Sequence, residues 1–297
     1  MMKLGRNPLV RALVQAWPAP WRALLERAAR GDLPRVLYRK AVAHELVHPL
    51  FPTGVTLRCG PFDFVVPAEV GADYCHFEPL SQQAFVDAVQ PGMTVLDVGA
   101  NVGYYTLLAA SRAGEGGRVH AVEPCDGNLA VLSRNLERAG VRNVTVHNYA
   151  AGETKRQRTF HVTESSIDHG FYPHPMAKTV RTVEVTEMPV DDFIPAPVQV
   201  AKVDVEGGEI EVLNGMRRLL AESRPFTLFV EWSPWCMRNA GREPLELPAK
   251  LAELGFDEVT VLEDRTRRRR PLAEVEAELR ARELPDDWYA NLLAVRR

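Results

Sequence analysis

The sequence predicts an open α/β fold, a mostly parallel sheet with helices on both faces, and three observations carry that reading. Thr94 to Val98 is apolar and β-rich, contains the acid Asp97, and runs through Gly99 and Gly103 into the helical content of Tyr104 to Ser111. Strand-type and helix-type segments then alternate over 94–99, 103–112, 118–123, 126–139 and 143–148, the pattern of a doubly covered parallel sheet. A glycine turn at the carboxyl end of a strand is also where such sheets bind ligands.

Taken in order, residues 8–47 read as two or three helices. Leu9, Val10, Leu13, Val14 and Trp17 form one apolar stripe and Trp21, Leu24, Leu25 and Ala28 another, parted by Pro18 and Pro20. With Lys3, Arg6, Arg11, Arg22, Arg27 and Arg30 around them, residues 8–30 could make peripheral contact with an anionic membrane, or pack on the chain's own domain or a partner subunit. The apolar runs are too short for a signal-peptide core or a membrane span. Val55 to Cys59 and Phe62 to Val66 read as a hairpin across Gly60-Pro61. These pieces predict a cap over residues 1–75 ahead of a main domain over 76–297. Glu78-Pro79 opens a helix to Val89 whose Phe85, Val86 and Val89 face the sheet.

The alternation stops after residue 148. Lys155 to Thr163 and Thr179 to Glu187 are β-type, and the stretch between them is polar, aromatic and proline-bearing. This predicts a β-arm insertion over about 152–188 whose long tip is a candidate substrate lid. The sheet resumes at Val198 to Val205, followed by a helix from Gly208 to Ser223, a strand from Phe226 to Trp232 and a helix from Leu247 to Leu254. Glu258 to Leu262 and Asn291 to Val295 read as the last strands, with a charged helix from Leu272 to Arg282 between them.

At 297 residues and 46% hydrophobic, the chain can bury a full core. A formal net charge of -3 gives no global field for nucleic acid. Cys59, Cys75, Cys125 and Cys236 form no C-x-x-C pair, so neither a zinc knuckle nor a disulfide framework is indicated, and a cytoplasmic location is expected.

A dinucleotide fingerprint needs glycine at the first, third and sixth positions, where this loop has Gly99, Asn101 and Tyr104. The pattern is instead Asp-x-Gly-x-Asn-x-Gly, and Asp97 would repel a pyrophosphate but attract a cation. An adenosyl sulfonium with an amino-acid tail fits better. Arg118 to Pro124 reads as a second strand ending in Glu123, an acid placed to accept both hydroxyl protons of a ribose.

The string Asp97-Val-Gly-Ala-Asn-Val-Gly-Tyr-Tyr-Thr106, then Glu123-Pro124, Asp191-Asp192-Phe193, Lys202-Val-Asp-Val-Glu-Gly-Gly-Glu209 and Glu231 resembles the FkbM family of S-adenosylmethionine-dependent methyltransferases, over roughly residues 76–296. Val190 stands where the family usually has leucine. The resemblance implies a Rossmann-like class I methyltransferase fold, doubly wound and mostly parallel with an antiparallel last strand. It also implies S-adenosyl-L-methionine as cofactor and O-methylation of a hydroxyl on a sugar or natural product. The acceptor would be a small molecule, a glycan or a carrier-bound hydroxyl. N- or C-methylation, or a non-catalytic adaptor that keeps the cofactor pocket, is the alternative. Cofactor binding is expected at Asp97, Gly99, Asn101, Gly103, Tyr104 and Thr106 for the methionine half, at Glu123 and Pro124 for the ribose, and at Asn148 for the adenine.

Methyl transfer is an in-line displacement, so the protein must align a nucleophile and, for a hydroxyl, help remove its proton. Period-two alternation puts Lys202, Asp204 and Glu206 on one side of their strand, with Glu231 beside them. Asp204 or Glu206 is the expected base or orienting acid, and Lys202 is expected to pair with one of these acids. An ion-pair network that only locks the two strands together is the structural alternative.

His161, His169 and His174 lie in or beside the lid, whereas His120 and His147 sit on strands as neutral core or edge residues. His44-Glu-Leu-Val-His48 matches a zinc-protease pattern, but Pro49 pushes His48 from helical geometry and no third ligand is evident. No residues are assigned to a metal. Magnesium on Asp204 with Glu206, or with Glu231 and Asp192, stays open as an alternative. Arg265 and Arg267 to Arg270 read as a basic loop, either solvated or touching substrate phosphate.

Overall fold

The computed structural model describes residues 54–59, 61–67, 78–173, 177–285 and 287–297. The readings for residues 8–47, the membrane-contact stripe, the His44 to His48 motif, Cys75 and His174 lie outside these. Among the described residues no helix is long and apolar enough to cross a membrane.

A hairpin of β1 (Val55–Cys59) and β2 (Phe62–Val66) comes first. It is tied to the main body by Asn135, which accepts from Val65 N at 2.6 Å and donates to Val65 O and Val102 O, both at 2.8 Å. Then follow α1 (Pro79–Ala88), β3 (Thr94–Val98), α2 (Tyr104–Ala113), β4 (Arg118–Val122), α3 (Asp126–Ala139) and β5 (Val144–His147). The arm comprises β6 (Ala150–Gly152), β7 (Arg156–Thr163) and β8 (Thr179–Pro189). After it come β9 (Val200–Val203), α4 (Glu209–Asn214), α5 (Arg217–Glu222), β10 (Phe226–Trp232), α6 (Pro234–Asn239), α7 (Glu246–Glu253), β11 (Glu258–Glu263), β12 (Arg268–Pro271), α8 (Leu272–Ala281) and β13 (Ala290–Arg296).

The main sheet has eight strands in the order β12-β11-β13-β10-β9-β3-β4-β5. Strands β10, β9, β3, β4 and β5 run parallel, and β13 inserts antiparallel between β10 and β11. Alternation along the strands sorts side chains into two cores. Val95 and Phe229 pack on one face with α1 and α2, while Leu96, Val98, Leu228 and Val230 pack on the other with α4, α5, α7 and α8. This is the mostly parallel, doubly wound α/β architecture that the sequence predicts.

Four details differ from expectation. The last strand is antiparallel as expected, but the edge beyond β11 is closed by Arg268–Pro271, expected as loop. The helix expected from Gly208 to Ser223 breaks in two at Gly215, where a Cβ would lie 1.9 Å from Gly152 O, so the arm's first strand leaves room only for glycine. The strand expected over 198–205 ends at Val203. A short helix after β10, α6, begins where the Ser233 hydroxyl accepts from Cys236 N.

The arm is a three-stranded sheet, β6-β8-β7, with β7 and β8 antiparallel. Its root is fixed by the fully buried Glu187, which accepts from Arg156 Nε at 2.9 Å and Arg158 Nη1 at 3.2 Å.

Candidate active site

A cavity of about 940 Å³ opens at the carboxyl ends of β3, β4, β9 and β10 and is roofed by the arm tip. Its first wall is backbone. At Gly99 φ is 81° and a Cβ would sit 1.8 Å from Asp204 O, so β3 and β9 close on one another there only because no side chain intervenes. Asn101 also takes a left-handed φ of 50°. Its N–H then donates to Glu123 Oε2 at 2.9 Å, which joins the turn after β3 to the acid after β4. Glu123 Oε1 accepts from Cys125 N at 2.9 Å and, more weakly, from Asn128 Nδ2 at 3.4 Å. Burial pushes the Glu123 carboxyl up to about 7, against those donated hydrogen bonds. Asp97 is buried and accepts from Thr106 Oγ1 at 2.5 Å; burial raises its pKa, while Thr106 and Lys202 pull it back.

The opposite wall is built from side chains. Lys202 Nζ donates to Asp204 Oδ2 at 2.5 Å and lies 4.6 Å from the centre of the Tyr105 ring. Burial disfavours its charge, but Asp204 and Glu78 outweigh that and raise its pKa, so Lys202 stays cationic. Glu206 has a left-handed φ of 56° and accepts from Cys236 Sγ at 3.2 Å. Burial, then Asp204 and Asp168, push Glu206 well above the carboxylate range; burial, then Asp204 and Glu206, do the same for Glu231. Glu78 completes the group, accepting from Tyr105 OH at 2.6 Å and from Asn291 Nδ2 at 2.8 Å.

The roof is the arm tip, from which Ile167, Asp168, His169 and Phe171 line the cavity. Several contacts hold it in place, among them Tyr172 OH donating to Glu211 Oε1 at 3.4 Å. Asn101 Nδ2 donates to Ser166 O at 2.8 Å, Asn239 Nδ2 to Pro173 O at 2.6 Å, and the Arg158 guanidinium lies 3.8 Å from the Phe171 ring centre. His169 Nδ1 accepts from Thr163 N at 3.2 Å, and burial lowers its pKa to about 4, so the ring is neutral. His161 lies near Thr179 Oγ1, outside the cavity. His120 and His147 sit 3.1 Å apart on β4 and β5, with burial lowering both pKa values.

Of the residues singled out from sequence, Asp97, Gly99, Asn101, Tyr104, Glu123, Pro124, Lys202, Asp204, Glu206 and Glu231 converge on this one cavity. Gly103, Thr106 and Asn148 do not line it. Thr106 turns to Asp97, and Asn148 is exposed while its neighbour Tyr149 faces in. Asp192 is exposed and away from the cavity, and Asp191 caps α5 through Arg218 N and Leu219 N, so the magnesium set of Glu231 with Asp192 is not brought together. Nor is the arginine run a free loop. Arg270 is buried against Glu263, Glu274 and Glu278, which accounts for it as a structural ion-pair node, while Arg265 lines the cavity mouth bound to Asp287. Sequence reading missed Glu78, Tyr105, Asn128 and Asn291 as site residues. Only Glu78 carried a local signal, and beside Pro79 it read as a helix start.

A doubly wound sheet with a glycine turn after its first parallel strand and an acid after the second defines a Rossmann-like fold of the class I methyltransferase type. Residues 97–258, more than half of the chain, match the methyltransferase FkbM domain, and the chain belongs to that family of S-adenosylmethionine-dependent methyltransferases. The hexuronic acid methyltransferase AglP of Haloferax volcanii is 29% identical over 136 residues, 42% of this chain and 50% of that protein. A protein-L-isoaspartate O-methyltransferase of Methanococcoides burtonii is 37% identical over 82 residues, 27% of this chain and 40% of that protein. The chain thus matches half or less of the length of these curated relatives. Among solved structures, methyltransferase FkbM from Methylobacillus flagellatus is 16% identical with a TM-score of 0.44, covering 94% of this chain and 71% of that one.

Proposed function

We propose that the chain moves a methyl group from S-adenosyl-L-methionine to a hydroxyl oxygen of a sugar or natural-product acceptor. The observation that carries this reading is that one cavity joins a backbone cradle closed by Glu123 to a wall of carboxylates around Lys202. When bound, the cofactor supplies an electrophilic methyl on a cationic sulfur.

The residues fit such a guest. Glu123 has three donors on its two oxygens, which leaves lone-pair capacity for ribose hydroxyls. Asn101 lines the cavity and its N–H holds Glu123 in place for the guest. Asp97 and the surrounding carboxylates favour a cationic guest by simple Coulomb attraction. Asp204 and Glu206 orient the acceptor hydroxyl, and whichever is ionised takes its proton. Burial and the neighbouring acids raise the pKa of Glu206 and of Glu231, so these two share protons rather than both ionising. The hexuronic acid relative supports a sugar acceptor.

The test is incubation with methyl-labelled cofactor and a panel of hydroxylated sugars, uronic acids among them, followed by mass spectrometry. Label on a hydroxyl oxygen is expected. Label on nitrogen or carbon would replace the O-methyl reading, and cofactor binding without transfer to any acceptor in cell extract would favour an adaptor.

A further inference from the structure

We propose that Arg265 and Arg267, at the mouth of the cavity, hold an anionic group of the acceptor, a carboxylate or a phosphate, so that the molecule methylated is an acidic one that enters hydroxyl first. This rests on the methyl-transfer reading and adds the acceptor's charge to it.

Sheet order places the mouth. Strand β11 runs parallel to β10, because each pairs antiparallel with β13, so the turn after β11 lies at the same end of the sheet as Asp204 and Ser233. It stands two strand spacings from β10, about 10 Å, a gap that a sugar ring and an arginine side chain fill between them. Of the described residues that line the cavity, only Arg265, Arg267 and Asp287 are exposed. Further in, Lys202 is buried against Asp204, His169 is neutral, and the remaining titratable lining is dominated by carboxyl groups. The cavity is thus acidic within and basic at its rim. Such a field repels an anion from the interior and draws it to the arginines, which turns an acceptor carrying both groups so that its hydroxyl faces Asp204 and Glu206.

The two arginines are held differently. Arg265 donates through Nη1 to Asp287 O at 3.1 Å and Oδ2 at 3.0 Å, and its guanidinium lies 4.7 Å from the Tyr289 ring centre. A guanidinium carries five N–H donors, so part of its fork is left for a guest. The Arg267 side chain makes no hydrogen bond or ion pair among the described residues, although it lines the cavity. Its φ of 56° is left-handed, a conformation that glycine or asparagine adopts at lower cost. The turn between β11 and β12 that presents both residues is pinned beforehand. Asp264 Oδ1 accepts from Leu80 N at 2.7 Å and Ser81 N at 3.1 Å at the start of α1, and Thr266 Oγ1 donates to Glu263 Oε2 at 2.8 Å. A pinned backbone leaves only side-chain freedom to be lost when an anion binds.

The experiment saturates the full chain with S-adenosylhomocysteine and measures, by saturation-transfer NMR, the binding of probes that differ only at one carbon: methyl glucoside, its 6-phosphate and methyl glucuronide. At least one anion should bind about tenfold or more tighter than the neutral glucoside, and which one does so separates a phosphate from a carboxylate acceptor. Arg267→Asn suits the left-handed backbone, so it should keep or raise Tm while weakening the preferred anion by about three- to tenfold. Adding Arg265→Gln should bring that anion to the level of the neutral probe. Arg269→Gln, exposed and off the cavity, should change neither. No preference for either anion in the wild type, or a preference undiminished in the folded double variant, overturns the subsite. Incubating cell extract with methyl-labelled cofactor and separating the products on an anion exchanger keeps this result apart from the methyl-transfer reading. Labelled acidic products support both. Labelled neutral products alone remove the anionic acceptor and leave methyl transfer, whereas anion binding with no labelled product leaves the subsite and removes the transfer.

Discussion

The two walls of the cavity are built by different means. On the β3–β4 side the shape comes from backbone: a glycine that lets β9 approach, a left-handed Asn101 and a carboxylate pinned by main-chain N–H groups. On the β9–β10 side it comes from crowded side-chain charge, with Lys202 amid Glu78, Asp204, Glu206 and Glu231. A backbone wall tolerates almost no change but sets only where a guest sits, while a charge wall tolerates isosteric change but sets what happens to it. Binding and turnover should therefore separate by side.

The largest effect expected is on turnover. Asp204→Asn combined with Glu206→Gln should lower kcat by on the order of 10²–10⁴, the usual worth of general-base catalysis, as read by methyl-label transfer under saturating cofactor. A double variant with full activity would mean that the charge wall only holds strands together.

Next comes the backbone wall. Gly99→Ala adds a Cβ 1.8 Å from Asp204 O on a left-handed backbone and should cost on the order of 4 kcal/mol of stability in urea unfolding. Gly92 is the control: its φ is also left-handed, at 85°, but nothing lies within 4 Å, so Gly92→Ala should cost only about 1 kcal/mol. Equal costs would show that the close approach of β3 to β9 is not what Gly99 provides.

Away from both walls, removing Arg270 leaves Glu263, Glu274 and Glu278 around a missing charge. Arg270→Ala should destabilise the chain by about 3 kcal/mol without changing nucleoside affinity. A loss of acceptor affinity with stability unchanged would instead restore the phosphate-contact reading.

The smallest effects are in pH. Glu123 takes a proton near pH 7 when no guest is bound, and ribose hydroxyls prefer to donate to the carboxylate, so nucleoside affinity should rise as pH increases from 6 to 8. Glu209, buried and accepting from Val205 N and Gly207 N, is likewise raised to about 7 by burial. A carboxyl whose folded pKa lies above its unfolded value stabilises the fold below the unfolded pKa, and that contribution fades as pH rises to the folded one. Its share of stability should thus decline between about pH 4.5 and 7, and Glu209→Gln should flatten the fall in Tm over that window. An unaltered slope would place the titration elsewhere.

The contrast between the walls also explains what could be read from sequence. The backbone wall is local: Asp97 to Gly103 and Glu123 lie at the ends of two successive strands, and a glycine that must be glycine is visible as a letter. The sheet was legible for the same reason, since strand and helix alternate with clear periodicity from residue 94 to residue 148. Most of the charge wall was legible too, because Lys202, Asp204 and Glu206 share one short motif and Glu231 lies on the next strand. Glu78 and Asn291 were not. Their hydrogen bond joins residues 213 positions apart, and only the insertion of β13 beside β10 places Asn291 opposite Glu231. The break at Gly215 and the edge strand formed by Arg268–Pro271 were hidden likewise, because each depends on a partner, Gly152 or β11, that is distant in the chain.

Calorimetric titration of S-adenosylhomocysteine into two variants tests the division of labour most directly. Glu123→Ala should lose on the order of 1.5–3 kcal/mol of binding, the worth of a charge-assisted contact, while the Asp204→Asn, Glu206→Gln double variant should bind within about threefold of wild type. Unchanged affinity in Glu123→Ala, or a loss confined to the double variant, would contradict the assignment of the nucleoside to the backbone wall.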